Sequence, residues 1–310
     1  IRLEAPVLVL DGNLWANGQD SPELRTGGGS GGSILIQVGV LSGGGSIRAN
    51  GGYQSGQSGS GGGGRIAVYY TNASGAVLGN IQCAGGTAWG GPGTIFVMNT
   101  NNAAGVLTLD NQGHGVERAT PVAVTTTSLV ESVEFGSGAG VDLTLGAGVV
   151  LAHLIASNVT LSVNGMLVLA GDLILSGSSA LSVTGTLTVS SDLILQGTAK
   201  LSHGVGAANG LHLIVGGRLQ MGSNATIDVS EKGLLPVSGT TGTVGGSYGG
   251  YGTTYGAGTA RAPFGDFLWP TNLGVGGTNS YDGTTSRGGG RIWIEAAELW
   301  MDGQLLATGQ

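Results

Sequence analysis

The chain is short of cysteine, proline and charge. Cys83 is the single cysteine in 310 residues, which excludes an intrachain disulfide and leaves stability to packing. Seven prolines without a Gly-X-Y register exclude a collagen helix. Eleven Lys and Arg against 18 Asp and Glu give a net charge of −7. No basic stripe is present to neutralise phosphates, so no nucleic-acid partner is expected. No apolar run approaches the roughly 18 residues that span a bilayer, and the best, residues 149–154, reaches about a third of that, so no membrane insertion is expected. Ile1 already belongs to an alternating strand pattern and no signal peptide is visible. This reads as a processed chain or a segment of a longer one.

What is abundant is glycine, 65 residues, beside a 40% hydrophobic content. That is too apolar for a disordered chain and too glycine-rich for a helical one. Internal repetition is the strongest signal. Residues 161–177 align without gaps on 181–197 with ten of 17 identities, each copy carrying short alternating strands such as Leu161/Val163 and Leu173/Leu175. A second unit, a Gly tract, an Ile-x-Val strand and then Ile-x-Ala-x-Gly, runs from Gly32 to Gly52 and again from Gly64 to Gly86. In it Cys83 takes the place of Ala49, Ala16 and Ala307, which predicts a buried small-residue position rather than a reactive thiol. Finally, residues 1–19 lie on 292–310 with ten of 19 identities, an offset of 291.

Short strands recurring every 18–32 residues, with glycine corners and no helical period between them, predict an all-β chain. The expected fold is a right-handed parallel β-helix with long Gly-rich loops leaving its wall. A sandwich built from antiparallel hairpins at Asp11-Gly12, Asn164-Gly165 and Asp302-Gly303 is the alternative. The expected organisation is a single solenoid over 1–310. It has Gly-loop-rich coils over 1–113, regular coils of about 20 residues over 135–230, a Gly/Tyr-rich insertion over 233–290, and a final coil over 291–310 that echoes 1–19.

Gly61-Gly-Gly-Gly-Arg-Ile-Ala-Val-Tyr-Tyr70, Ser46-Ile-Arg-Ala-Asn-Gly-Gly52, Thr226-Ile-Asp-Val-Ser-Glu-Lys-Gly233 and Gly288-Gly-Gly-Arg-Ile-Trp-Ile294 resemble the glycine-rich β-helical repeats of very long bacterial surface and secreted adhesin-like proteins. The resemblance covers most of the chain. It implies an extracellular, structural or adhesive role and brings no catalytic residues.

Solenoid enzymes use clustered carboxylates with nearby cations. Here the acidic pair with the best spacing is Asp172 and Asp192, one repeat apart, a weak candidate for Ca2+ and more simply a polar corner before each Asp-Leu-Ile-Leu strand. His114, His153, His203 and His212 lack metal-ligand spacing, and no Gly-x-Ser-x-Gly elbow is present, so neither an enzyme nor a cofactor is expected. Two surfaces remain. Neither end reads as a cap, so Ile1, Leu3, Ile292, Ile294 and Leu299 are expected to contact another copy head to tail, or a tandem neighbour, giving a filament, sheath or stalk. The tract with Tyr248, Tyr251, Tyr255, Phe264 and Trp269 supports a rival reading, a carbohydrate-binding or carbohydrate-active β-helix in which these rings stack on a surface polysaccharide.

Overall fold

The computed structural model describes every residue except 55, 57, 126–129, 237–240, 267, 280–282 and 310. The chain is nearly all β, 46% strand and 1% helix, in large and mostly parallel sheets. It divides into two compact units, Ile1–Ser162 with Leu169–Ser179, and Val163–Val168 with Ala180–Gln310.

The first unit opens with β1 (Arg2–Val9), β2 (Asn13–Trp15), β3 (Ser33–Ser42), β4 (Ser46–Arg48), β5 (Arg65–Ala73), β6 (Ile81–Gln82) and β7 (Thr94–Asn99). The order β1-β3-β5-β7 forms one parallel sheet and β2-β4-β6 a second. β-Branched residues at every second position put Ile34, Ile66 and Ile95 in one ladder and Leu3, Ile36, Val68 and Val97 in the next. All but Leu3 share a core with Ile47 and partly buried Leu14 and Ile81 of the second sheet. Burying each large aliphatic contributes about 1.5–3 kcal/mol, and it is this, repeated at each ladder step, that holds a chain with no disulfide.

Asp11-Gly12 makes no hairpin. It turns the chain from β1 in one sheet to β2 in the other, and the Asp11 carboxylate accepts the Gly44 N–H one repeat further on at 3.1 Å. Asn17 accepts from Asn50 N–H (2.9 Å), Asp20 from Tyr53 N–H (2.7 Å) and Asn50 from Ala84 N–H (3.0 Å). Corner side chains therefore satisfy backbone donors that no strand pairs. The other two dipeptides also join strands of different sheets, and the large sheets are parallel, so the sandwich alternative fails.

Several glycines of the tracts expected to form loops instead bond from one repeat to the next. Gly31 N–H donates to Gly62 O (2.9 Å), Gly52 N–H to Gly29 O (2.8 Å), and Gly86 N–H to Gly61 O (2.8 Å). A Cβ added at Gly61 would stand 1.9 Å from Gly29 O. Backbone packs directly on backbone here, at a distance only glycine allows.

After β7 the chain reverses into β8 (Gly105–Leu109), which pairs antiparallel with it, and continues through β9 (Thr120–Val124), β10 (Val130–Phe135), β11 (Gly140–Leu145), β12 (His153–Ser157), β13 (Thr160–Asn164), β14 (Leu167–Leu169) and β15 (Leu173–Ser176). Strands β8, β10, β12 and β15 pair in parallel in that order, and β9 pairs in parallel with β11. Residues directly opposite in an antiparallel pair share a face. Phe96 stands opposite Leu107, so Leu107, Leu109, Val133 and Phe135 are buried on the face that carries Phe96, whereas the first core lies on the face of Ile95 and Val97. The core has changed sides of one sheet.

The second unit takes in residues 163–168, which carry most of β14, and holds β16 (Ala180–Val183), β17 (Leu187–Val189), β18 (Leu193–Leu195), β19 (Lys200–His203), β20 (Leu211–Met221), β21 (Thr226–Asp228), β22 (Thr241–Val244), β23 (Thr254–Thr259), β24 (Ile292–Met301) and β25 (Gln304–Leu306). Strand β20 pairs in parallel with β17, β18 and β24. Strands β16, β19, β21 and β25 pair in parallel in that order. The antiparallel hairpin β22/β23 arises in the Gly/Tyr-rich insertion.

Candidate functional site

The two edge strands are the most prominent surfaces. β1 pairs with β3 and β24 with β20, and among the described residues neither has a strand on its other edge. The inward residues of β24, Ile292, Ile294, Ala296, Leu299 and Met301, continue the ladder of Leu211, Leu213, Val215, Leu219 and Met221, all buried. On β1, Leu3, Ala5 and Leu8 continue the ladder of Ile36, Val38 and Leu41, also buried. Each edge ladder is open where its neighbour is closed: Ile1 is 50% and Leu299 49% exposed, and Leu3, Ile292 and Ile294 are half-buried. Both strands break their alternation at equivalent places, between Ala5 and Leu8 and between Ala296 and Leu299, as the 291-residue offset requires.

The outer face of β24 is polar and aromatic. Trp293 stacks on His212 with centroids 4.3 Å apart, and the His212 ring meets Glu295 at 2.9 Å. Arg218 lies 4.1 Å from the Trp300 ring centre and 3.4 Å from Glu298.

Asp172 and Asp192 fall in different units. Asp172 N–H donates to His153 Nδ1 at 3.0 Å, while the Asp192 carboxylate accepts Arg218 N–H at 2.8 Å. The Asp192 contact is of the kind Asp11 makes, whereas at Asp172 the side chain of His153 is the acceptor. Among the described residues no group of three or more His, Cys, Asp or Glu is placed to hold a metal ion. Among them, too, no helix is long and apolar enough to cross a membrane.

Cys83 is buried, its Sγ 3.6 Å from Ala49 O, and burial pushes its thiol up to about 12 against weaker opposing backbone hydrogen bonds. His203 is fully buried on the inward side of β19, a position the sequence reading did not single out. Its Nδ1–H donates to Gly204 O (2.6 Å) and its Nε2 has no partner among the described residues. Burial holds its pKa below the ordinary value, with the positive charges of Lys232 and Arg291 adding to the effect.

In the insertion, Tyr248 packs against Phe264 at 5.2 Å, while Tyr251, Tyr255 and Trp269 project into solvent. Tyr255 stands opposite Thr243 in the β22/β23 hairpin, at the edge of a cleft of about 470 Å³. A second cleft, about 320 Å³, lies in the first unit where Arg65, Tyr69 and Phe96 meet Leu107, Pro121 and Val124. It opens where the core changes sides; the reversal at residues 100–104 carries turn residues, with Asn101 N–H donating to Asn99 Oδ1 at 2.9 Å, but the repeat pattern does not mark a change of buried face.

No family model, curated protein or solved structure matches the chain.

Proposed function

We propose that the chain is a structural block of an extracellular surface, a right-handed parallel β-solenoid joined end to end into a filament, sheath or stalk. The observation that carries this reading is the pair of open edges, β24 and β1, whose inward residues match in type and spacing. Stacking β1 of a second copy on β24 would set Ile1 on Ile292, Leu3 on Ile294, Leu8 on Leu299 and Leu14 on Leu305, and would pair two edges that otherwise leave N–H and C=O groups without strand partners. A contact of this kind is heterologous and does not close, so it propagates. The right hand follows the general rule for parallel strands joined by crossover connections. The extracellular location rests on the resemblance to adhesin-like repeats. The reading assigns no catalytic step.

Electron microscopy and sedimentation of the purified chain test it. Wild type is expected to form fibres built of strands about 4.8 Å apart along the axis, and L3D or I294D to leave soluble, folded monomers. Fibres unchanged in both variants, or a wild type that stays monomeric at high concentration, would overturn it.

A further inference from the structure

We propose that the cleft beside the β22/β23 hairpin binds a neutral sugar ring of a polysaccharide. This site is separate from the end strands and does not depend on assembly.

The floor of the cleft is set by backbone pairing. Val244 N–H donates to Thr278 O (3.0 Å), Thr278 N–H returns a bond to Val244 O (2.8 Å), and Gly245 N–H donates to Thr253 O (2.9 Å). Val244 is buried. Two hydroxyls of the cleft lining are held by backbone partners. Ser286 Oγ accepts Gly277 N–H at 2.8 Å, which leaves its own proton to donate. Thr278 Oγ1 donates to Gly242 O at 2.6 Å, which leaves its lone pairs to accept. Both residues line the cleft, so it offers one free donor and one free acceptor to sugar hydroxyls, each of which both donates and accepts.

The rim supplies the other half. Tyr255 is 71% exposed and lines the same cleft, so its ring offers an apolar face with a hydroxyl at the tip. Thr243, Thr253 and Asn279 also line it, and among the described residues no charged side chain does. An anionic ligand would find no cation there, on a chain whose net charge is already −7. The volume falls within the ordinary range for small-ligand clefts.

The test is titration calorimetry of the full chain with cellohexaose, laminarihexaose and mannohexaose, using polygalacturonate as the anionic comparison. At least one neutral oligosaccharide is expected to bind. Y255A should weaken that binding about tenfold or more, Y255F should retain it, and S286A should weaken it severalfold, with thermal melting unchanged throughout. No neutral oligosaccharide bound at 10 mM, binding of polygalacturonate alone, or equal affinity in Y255A and wild type would each overturn the proposal. Because the melt is read alongside, a misfolded S286A is recognised as such, and Y255A and Y255F, altered at an exposed ring, still decide the matter. Fibre formation is scored separately, so either proposal can fail alone.

Discussion

Phe96 faces Leu107 across the β7/β8 pair, and between these two residues the apolar core passes from one face of the sheet to the other. A half-turn about the stacking direction relates the two arrangements. It reverses strand direction and the buried face together, so one sheet serves two cores. Phe96 packs against Tyr69 on what is the outer face of the first block, at 5.7 Å, and lines the cleft that opens into the second core.

Leu107→Ala is therefore expected to cost about 2–4 kcal/mol, the usual range for emptying a buried leucine site. Thr108→Ala, one residue on and pointing to the other face, should cost less than about 1 kcal/mol. Urea unfolding of the two variants checks the assignment, and equal losses would mean the faces have been misassigned.

A second prediction concerns glycine. A Cβ at Gly61 would stand 1.9 Å from Gly29 O, whereas a Cβ at Gly59 would meet nothing within 4 Å. Gly61→Ala should therefore lose at least about 1–3 kcal/mol through overpacking. Gly59→Ala should be neutral or slightly stabilising, because it removes freedom from the unfolded chain. Thermal melting of the pair separates positions in one tract that pack from positions that merely link.

Much of the all-β parallel architecture is legible in the sequence because the ladders are periodic: Leu161/Val163 and Leu181/Val183 recur at a fixed spacing and are buried. The place of Cys83 is legible for the same reason, since Ala49 marks its position one repeat earlier. The packing of the Gly tracts is not. Glycine in a corner, in a free loop or against another backbone is the same residue, and only its partner one repeat away, Gly29 for Gly61, distinguishes them. The change of face at Phe96 and Leu107 escapes for a related reason, because alternation marks two faces of a strand without saying which is the inside. At the candidate sites, Tyr255 was singled out by its type, but Thr278 and Ser286 were not, since nothing in their local sequence separates them from the many other hydroxyls.

Cys83 yields a third expectation. A thiol that is buried and pushed up to about 12 holds almost no thiolate at neutral pH, and thiolate is the reactive form. Iodoacetamide should label the native chain at pH 7.5 more than about a hundredfold slower than the urea-unfolded chain. Comparable rates would place Cys83 at the surface and break the repeat alignment that puts it on Ala49.

His203 supplies the last. Its folded pKa lies below its ordinary value near 6.5, chiefly because burial disfavours the charged ring. The unfolded chain therefore takes up the proton first as pH falls. Stability from this residue is fully present above about pH 6.5 and is lost progressively below it, down to the folded pKa. Nε2 has no acceptor among the described residues, and a Cβ at Gly290 would come within 2.4 Å of it, so the added proton has little room for a solvating partner. The urea midpoint is expected to drop between pH 7 and pH 5. In His203→Leu, which keeps an apolar inward side chain beside Leu201, that drop should shrink. An unaltered pH profile in the variant would assign the acid sensitivity to other groups and leave His203 a passive part of the wall.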